Sequence, residues 1–224
     1  MLAAPPPLFD NVTEETCSVM GLITSFKVQL GRSDAVLYLA FDTVLNFTGD
    51  AIVNVANKGC LGGGGIDGEV NYRGGHELEE ARCALPLIGS YKRCEKGDAE
   101  ITVAGSLPCS KVIHAVGPRF GFSEEHEADL EVLENAYKNS MERACENQMK
   151  SVGFCILSAG IFRGSCPLKV VIKTGLDAIA KHAYPGGHGY GSITITYPGL
   201  ETVVFCGFTQ HEQTVIRDIV EQGL

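Results

Sequence analysis

Residues 50–68 have the sequence DAIVNVANKGCLGGGGIDG, and this stretch decides the fold. A short apolar strand, residues 51–56, leads into a loop with four consecutive glycines, and Ile66 then begins a segment predicted to be helical. The predicted helix is divided into two pieces near Gly74-Gly75. A buried strand that feeds a glycine loop at a helix start is typical of ligand sites in layered α/β proteins.

Strand and helix patterns alternate along the rest of the chain. Thr209-Gln210-His211-Glu212 is a capping-box pattern at the start of the last helix. The alternation predicts an α/β fold, a three-layer α/β/α sandwich with a mixed, mostly parallel sheet. Strands are predicted at residues 23–30, 35–41, 51–56, 100–105, 112–116, 152–157, 192–196 and 202–205, and helices at 66–85, 123–147, 167–182 and 210–221.

The start of the chain is rich in proline and polar residues. Residues 1–20 include Pro5-Pro6-Pro7 and polar turn formers, so they are predicted to be an N-terminal extension. The chain has 224 residues, of which 45% are hydrophobic, and a chain of this length can bury one continuous core. A single domain over residues 21–224 is therefore expected.

The composition excludes several classes of partner. Lys plus Arg number 18 against 27 Asp plus Glu, a net charge of −9, so no nucleic acid or membrane partner is expected. The longest apolar runs, residues 35–41 and 51–55, are far shorter than the roughly 20 residues of a membrane helix. The first twenty residues hold no Lys or Arg, which argues against a presequence and favours a cytoplasmic or nuclear location. Nine cysteines without a CxxC pair favour free thiols and no metal site.

The four glycines, Gly62, Gly63, Gly64 and Gly65, predict an anion site. Without Cβ atoms the backbone can take positive φ, and its N–H groups can turn toward a phosphate at close range. The helix that starts at Ile66 adds unpaired N–H groups and the positive end of its dipole. A diphosphate could therefore be held without a lysine, which agrees with the acidic composition. The alternative is an ordinary surface turn.

Two other nucleotide-binding patterns fit this loop poorly. Gly63, Gly65 and Gly68 form a GxGxxG pattern, as in the dinucleotide fold of dehydrogenases. In that fold the loop follows its strand almost at once, and a second strand ends in an acidic residue about 20 positions on. Here residues 57–61 intervene, and residues 82–86 are predicted to be helical. No GK[ST] follows any of the glycines, which excludes a Walker loop.

Three polar side chains accompany the glycine loop. Asn57 can offer both a donor and an acceptor to a sugar hydroxyl. Asp67 lies beside the predicted anion site, where a carboxylate can orient or deprotonate water, and its alternative role is that of a helix N-cap. Asn54, inside the strand, is predicted to pin the loop to the strand rather than to touch a ligand.

A second strand-to-loop segment, residues 157–164, has the sequence LSAGIFRG. Two such loops at the carboxyl ends of parallel strands can close over one ligand, although this segment alone is also typical of an ordinary strand-to-helix turn. His114, inside an apolar strand, is predicted to be a hydrogen-bonded core histidine. Cys60 is predicted to be a small packing residue, with a reactive thiol as the alternative.

The stretches at residues 50–57 and 61–68 resemble the signature of the macrodomain, an ADP-ribose-binding α/β/α module. The four-glycine loop with Asp67 after Ile66 is similar to the MacroD-type branch, whose members hydrolyse mono-ADP-ribose esters on acidic side chains and O-acetyl-ADP-ribose. Three further stretches resemble the family in the same order: residues 112–118 its Ile-His-Ala-Val-Gly-Pro strand, residues 158–162 its second phosphate loop, and residues 202–208 its last strand.

The resemblance implies a role for each candidate residue. Asn57 would hold the distal ribose, Asp67 would position or activate the attacking water, and the two loops would wrap the diphosphate. Asp42 is similar to the acidic residue that accepts from the adenine amino group, and Phe208 to the aromatic residue near the adenine. The two loops would contribute Gly62, Gly63, Gly64, Gly65 and Ile66 on one side, and Ser158, Ala159, Gly160, Ile161 and Phe162 on the other.

Several positions depart from the family pattern. The usual Gly-Asp-Ile is Phe41-Asp42-Thr43, a His that often follows the helix start is Asn71, and the usual Ala-Ala-Gly is Arg73-Gly74-Gly75. The function that the resemblance implies is an ADP-ribosyl hydrolase without a cofactor, expected as a monomer, with ADP-ribose and ADP-ribosylated proteins as partners. The alternatives are a reader module that binds ADP-ribose without turnover and a phosphatase acting on ADP-ribose phosphate.

Overall fold

The computed structural model describes residues 8–30, 34–121, 126–182 and 199–224. Within these ranges the chain forms eight strands and four helices. The strands are β1 (Phe9–Val19), β2 (Leu22–Leu30), β3 (Val36–Ala40), β4 (Ala51–Val55), β5 (Ala99–Val103), β6 (Lys111–Ala115), β7 (Ser151–Cys155) and β8 (Thr202–Cys206). The helices are α1 (Ile66–Ala84), α2 (Glu127–Glu146), α3 (Leu168–His182) and α4 (Gln210–Glu221).

All eight strands belong to one sheet with the order β1-β2-β3-β8-β7-β4-β6-β5. Strands β3, β8, β7, β4 and β6 are parallel to one another. The pairs β1–β2, β2–β3 and β5–β6 are antiparallel. The predicted mixed, mostly parallel sheet is therefore confirmed. Its parallel centre is almost entirely buried, as expected for strands that are covered on both faces.

Successive strand residues alternate between two hydrophobic clusters, one on each face of the sheet. In β8, Val203 and Phe205 pack in a cluster with residues of α2, α3 and α4. Val204 and Cys206 pack instead with Val70 and other residues on the side of α1. Because helices cover both faces, the protein has the three layers that the sequence predicts. Among the described residues, none of the helices has the length and hydropathy of a transmembrane span.

Helix α1 is kinked where the sequence predicts a break. Gly75 has φ 69° and ψ −162°, outside the helical region, and it divides α1 into two segments. A neighbouring turn packs closely against the kink, since the Gly74 carbonyl accepts a hydrogen bond from the Ser106 backbone N–H at 2.9 Å. A Cβ at Gly105 would lie 2.1 Å from the Gly74 oxygen, so residue 105 has to be glycine for this contact. The kink is therefore a fixed part of the fold.

Most other predicted elements lie within a few residues of the observed ones. Helix α4 has the predicted bounds, and its capping box is present: the Thr209 hydroxyl accepts from the Glu212 N–H, and the Glu212 carboxylate accepts from the Thr209 N–H. The helix predicted from residue 123 begins at Glu127. The strand predicted at residues 192–196 lies outside the described residues.

The beginning of the chain differs from the prediction. Residues 1–20, expected to be an extension, include β1, which pairs antiparallel with β2 across a two-residue turn at Met20 and Gly21. Both turn residues have positive φ, 49° and 80°, as in the type I′ turns that join hairpin strands. Most side chains of β1 are exposed because it is the edge strand, so its sequence shows no apolar alternation. Within the described part of the chain, the sheet therefore begins at Phe9.

Candidate functional site

The predicted site residues follow the ends of neighbouring strands. Asp42, Asn57, Ser158 and Phe208 lie two or three residues after β3, β4, β7 and β8. These four strands are parallel and adjacent in the sheet, so their carboxyl ends meet at one edge. Ligands of open α/β sheets bind in the crevice at this edge. The topology thus brings four separate loops to one place.

A cavity of about 1010 Å³ lies at this edge of the sheet. Ligand cavities in proteins commonly measure roughly 300–1,000 Å³, so a nucleotide-sized ligand fits. The predicted site residues that line it are Asp42, Asn57, Gly63, Gly64, Gly65, Ile66, Asp67, Ser158, Ala159, Gly160, Ile161, Phe162 and Phe208. Gly62 is not among the lining residues, and its carbonyl oxygen instead accepts a hydrogen bond from the Asn57 amide.

The glycine loop needs glycine for conformational and steric reasons. Gly62 and Gly65 have φ of 111° and 62°, in the left-handed region that residues with side chains rarely adopt. A Cβ at Gly68 would lie 2.8 Å from the Gly63 carbonyl oxygen, so the first turn of α1 packs on the loop through glycine. Gly65 is the N-cap residue of α1 and offers no side-chain cap to the first-turn N–H groups. The N-cap alternative for Asp67 is therefore wrong.

Asn57 and Asp67 approach the same point beside Gly63. A Cβ built at Gly63 would lie 3.0 Å from Asp67 Oδ2 and 3.4 Å from Asn57 Nδ2. The two polar groups therefore border one small volume, which is open because residue 63 has no side chain. A carboxylate oxygen and an amide N–H together suit a water molecule or a hydroxyl group, which can donate to the first and accept from the second.

A buried ion pair holds the Asp67 carboxylate. Oδ1 accepts hydrogen bonds from Arg82 Nη2 and from Asn54 Nδ2, each at 2.7 Å. Asp67 is 4% exposed and Arg82 is 0% exposed. Removal of either charge would leave the other buried without its partner, at a cost of about 3–5 kcal/mol. Asn54 does not line the cavity, as predicted, but the element that it ties to β4 is the start of α1 rather than the loop.

A chain of buried polar groups continues behind Asn54. Asn54 Nδ2 also lies 3.3 Å from His114 Nδ1, and His114 Nε2 lies 2.9 Å from the Thr102 hydroxyl, which donates to the Val103 carbonyl. Burial, with a smaller effect of Arg82, holds the pKa of His114 well below its usual range. The neutral ring with its proton on Nε2 satisfies every one of these contacts. His114 is the hydrogen-bonded core histidine that the sequence predicts.

The side chain of Asn57 stabilises the turn in which this residue lies. Asn57 Oδ1 accepts from the Gly59 N–H at 2.9 Å, and Nδ2 donates to the Gly62 carbonyl at 2.8 Å. Cys60, which closes this turn, is fully buried with Cys94 and is the packing residue that the sequence predicts. A hydrogen bond with the Cys94 thiol lowers the pKa of Cys60 against the opposing effect of burial. Asn57 therefore shapes the glycine loop as well as bordering the cavity.

The second loop presents backbone and apolar groups to the cavity. Ser158 is 1% exposed, has φ 56°, and donates its hydroxyl hydrogen to the Pro118 carbonyl at 2.7 Å. Its side chain thus fastens the loop to the segment after β6. Ile161 is 88% exposed at the cavity rim, and the Arg119 guanidinium lies 5.9 Å from the centre of the Phe162 ring. An apolar rim beside a small-residue loop is suited to covering a bound ligand.

Asp42 and Phe208 lie at the part of the cavity bordered by β3 and β8. Asp42 Oδ1 accepts from the Thr43 N–H at 2.6 Å and from Asn46 Nδ2 at 3.3 Å. Phe208 is 67% exposed although it borders the cavity, so its ring is available to stack on a planar ligand. A carboxylate and an exposed aromatic ring that border the same cavity suit a planar base that carries an amino group.

The sequence did not lead to a prediction of Arg73 and Arg82 of α1 as site residues. Arg73 is the single cation among the described residues that line the cavity, and its Nε lies 3.7 Å from Glu69 Oε2. Arg82 does not line the cavity but binds Asp67 directly. It continues a row of buried α1 positions four residues apart, after Val70, Gly74 and Leu78. An arginine in a core-facing row is the signal that could have identified it. The described residues contain no group of three or more metal-ligating side chains.

Comparison with known proteins finds relatives of moderate sequence identity. The chain is 40% identical over 138 residues to an O-acetyl-ADP-ribose deacetylase of Escherichia fergusonii. The aligned region covers 61% of this chain and 76% of that protein. It is 36% identical over 151 residues to the protein of the same name from Citrobacter koseri, which covers 66% and 83%.

Solved structures show the same architecture. The macrodomain of Oceanobacillus iheyensis with ADP has a TM-score of 0.71 at 20% identity, covering 95% of this chain and 97% of that one. The Trypanosoma brucei macrodomain in complex with ADP-ribose has a TM-score of 0.63 at 28% identity, covering 85% and 70%. The model of the Macro domain family matches residues 53–174, more than half of the chain. The chain therefore belongs to the Macro domain family.

Proposed function

We propose that this protein binds ADP-ribose in the cavity and hydrolyses esters of it, namely O-acetyl-ADP-ribose and mono-ADP-ribose attached to acidic side chains. The observation that carries the proposal is the approach of Asn57 Nδ2 and Asp67 Oδ2 to one point beside Gly63. Relatives at 36–40% identity that are named O-acetyl-ADP-ribose deacetylases support it. The partners are then ADP-ribose and ADP-ribosylated proteins.

Each part of the cavity suits one part of ADP-ribose. The ring of Phe208 and the carboxylate of Asp42 suit the adenine base, which is planar and carries an amino group. The diphosphate suits the glycine loop and the uncapped first turn of α1, where N–H groups and the helix dipole favour an anion. Residues 158–162 cover it from the other side. The distal ribose is then left beside Asn57 and Asp67.

The arrangement at Gly63 suits hydrolysis by an oriented water molecule. Oδ2 of Asp67 accepts a hydrogen from the water and directs its oxygen toward the ester, while Asn57 holds a ribose hydroxyl. For mono-ADP-ribose on an acidic side chain, water attacks the anomeric carbon and releases the side-chain carboxylate, a weak base that departs without strong help from a general acid. For O-acetyl-ADP-ribose, water attacks the acetyl carbonyl and the ribose oxygen leaves, taking up the proton that Asp67 has accepted from the water. Most of the rate enhancement then comes from fixing water and ester against each other, an effect that reaches about 7–11 kcal/mol in well-oriented systems.

A reader module without turnover is the second candidate, and one observation favours it. Asp67 is committed through Oδ1 to a buried ion pair, so its carboxylate has a structural role whether or not it acts on water. Binding of ADP-ribose is common to both candidates. Release of product distinguishes them.

The test pairs binding with turnover. Calorimetric titration with ADP-ribose is run beside hydrolysis of O-acetyl-ADP-ribose and release of label from a protein mono-ADP-ribosylated on Glu or Asp. The wild-type protein is expected to bind and to release product. Asp67→Asn, whose fold is checked by circular dichroism because it leaves Arg82 without its charge partner, is expected to bind with loss of most turnover. Asp177→Asn is the matched control, because Asp177 pairs with Lys173 on the surface of α3, away from the cavity. Binding without release by the wild type would make the protein a reader.

A further inference from the structure

Arg82 connects the two residues on which the proposed reaction depends. Its Nη2 donates to Asp67 Oδ1 at 2.7 Å, and its Nε donates to the carbonyl oxygen of Cys60. Cys60 closes the turn that begins at Asn57, since its N–H donates to the Asn57 carbonyl at 3.0 Å. One guanidinium thus contacts Asp67 directly and reaches Asn57 through a single turn. Arg82 touches neither the cavity nor the position of a substrate.

The ion pair fixes which carboxylate oxygen of Asp67 faces the cavity. Within the described residues, both hydrogen bonds to this carboxylate end on Oδ1, one from Arg82 and one from Asn54. Oδ2 points to the space beside Gly63. Rotation of the carboxylate would break two hydrogen bonds inside a region without solvent, where they are hard to replace. The donors therefore leave Oδ2 as the oxygen that can meet a water molecule.

The kink in α1 makes this contact possible. Residues 67 and 82 are 15 positions apart, which on a straight helix corresponds to about 22 Å along the axis. No arginine side chain spans that distance, yet Nη2 and Oδ1 are 2.7 Å apart. The positive φ of Gly75 turns the second segment of α1 back toward the first. The kink, the buried arginine and the orientation of Asp67 thus form one arrangement.

We propose that Arg82 is a positioning residue for ester hydrolysis, which holds Asp67 Oδ2 toward Gly63 and fixes the turn that carries Asn57. The proposal rests on the proposed function of Asp67. The planar fork of a guanidinium is required, because it places two donors in a fixed geometry. The single nitrogen of a lysine ammonium cannot occupy the positions of Nε and Nη2 at once. Charge alone therefore does not replace Arg82.

The test separates positioning from stability with Arg82→Lys and Arg82→Met. Arg82→Lys keeps a cation next to Asp67 and so maintains the fold, which circular dichroism and thermal unfolding verify. It is expected to lower kcat for ester hydrolysis about 100-fold, the effect of a misplacement near 1 Å, with KM and the Kd of ADP-ribose nearly unchanged. Arg82→Met is expected to lower kcat at least as much.

Two further variants make the result specific. In the Asp67→Asn background, Arg82→Met is expected to lower kcat much less than it does in the wild type, because its effect through Asp67 is already lost and only its effect on the turn of Asn57 remains. Arg143→Met is the matched control: Arg143 also donates Nε to a backbone carbonyl and pairs with carboxylates, but outside the cavity. It is expected to leave kcat unchanged.

The outcomes distinguish the two levels of the proposal. If the wild-type protein hydrolyses the ester and the folded Arg82→Lys variant has the same kcat, the positioning role is overturned and the proposed function remains. A full additional loss from Arg82→Met in the Asp67→Asn background overturns the role as well. Binding of ADP-ribose without turnover by the wild type overturns the proposed function and the role of Arg82 with it.

Discussion

Gly63→Ala places a methyl group in the volume that Asn57 and Asp67 share. The new Cβ would lie 3.0 Å from Asp67 Oδ2, tighter than ordinary contact, and 3.4 Å from Asn57 Nδ2, at the short limit of ordinary contact. A water molecule or ribose hydroxyl could not occupy the same space. If the reaction takes place there, turnover is expected to fall about 100-fold or more.

The effect of Gly63→Ala on stability is expected to be small. Gly63 is not among the glycines with positive φ, so alanine can adopt its backbone conformation. Replacing glycine at such a position stabilises a protein by about 0.4–1 kcal/mol, because the unfolded chain has less conformational freedom to lose. The close contacts oppose this gain, so the net change is expected within about 1 kcal/mol. For a chain of this size that is a shift in Tm of about 2–4 °C.

The assay compares Gly63→Ala with Gly89→Ala. Gly89 also lacks positive φ, and a Cβ there would meet only Lys92 Cε at 3.5 Å. Both variants are measured for Tm, for the Kd of ADP-ribose and for hydrolysis of O-acetyl-ADP-ribose. Loss of turnover in Gly63→Ala alone, at a Tm near that of the wild type, is the expected result. Wild-type turnover in Gly63→Ala would refute the assignment of the reaction to this volume.

Three further variants test other parts of the protein. Phe208→Ala is expected to weaken ADP-ribose binding in calorimetry by about 1–3 kcal/mol, the contribution of base–aromatic stacking. No change in Tm is expected because the ring is mostly exposed, and unchanged affinity would mean that the base binds elsewhere. Asp50→Ala is expected to lower the free energy of unfolding in urea by about 1–3 kcal/mol with unchanged ADP-ribose affinity. The reason is that Asp50 Oδ2 accepts three hydrogen bonds from Lys150 and Ser151, far from the cavity, and a Tm equal to that of the wild type would contradict this. Burial lowers the pKa of His114 in the folded protein, so the unfolded chain binds a proton on this residue more readily. The free energy of unfolding is therefore expected to fall as the pH drops below about 6.5, by up to about 1.4 kcal/mol per pH unit. His114→Gln should make stability less dependent on pH, and an equal slope in both proteins would exclude His114 as its source.

The sheet centre and the site edge could be predicted from the sequence because they depend on local patterns. Apolar strands that are followed within three residues by Asp42, Asn57 or Ser158 indicate parallel strands whose loops meet. Gly74-Gly75 indicates the break in α1. Strand β1 could not be predicted in the same way, since an edge strand buries few side chains. Its two-residue turn at Met20 and Gly21 is the one local sign of the hairpin.

The partners of the site residues depend on contacts between distant positions. Nothing in the sequence near Asp67 indicates that its carboxylate binds Arg82, because the contact requires the geometry of the Gly75 kink. The hydroxyl of Ser158 could equally have faced a ligand, and its bond to the Pro118 carbonyl depends on how β6 and β7 are arranged. The sequence pattern therefore predicts which residues lie at the cavity, whereas tertiary packing determines which atoms of each residue can contact a ligand.

The kink of α1 also links the proposed activity to local opening of the fold. The last turn of this helix supplies the buried Arg82, which keeps the carboxylate of Asp67 in place at the first turn. Segments of a native protein open with free energies below that of global unfolding, and helix ends open most readily. Fraying of a single turn near Ala84 would release the carboxylate while the sheet and core stay intact. On warming, ester hydrolysis is therefore expected to be lost at a temperature below the Tm of the protein.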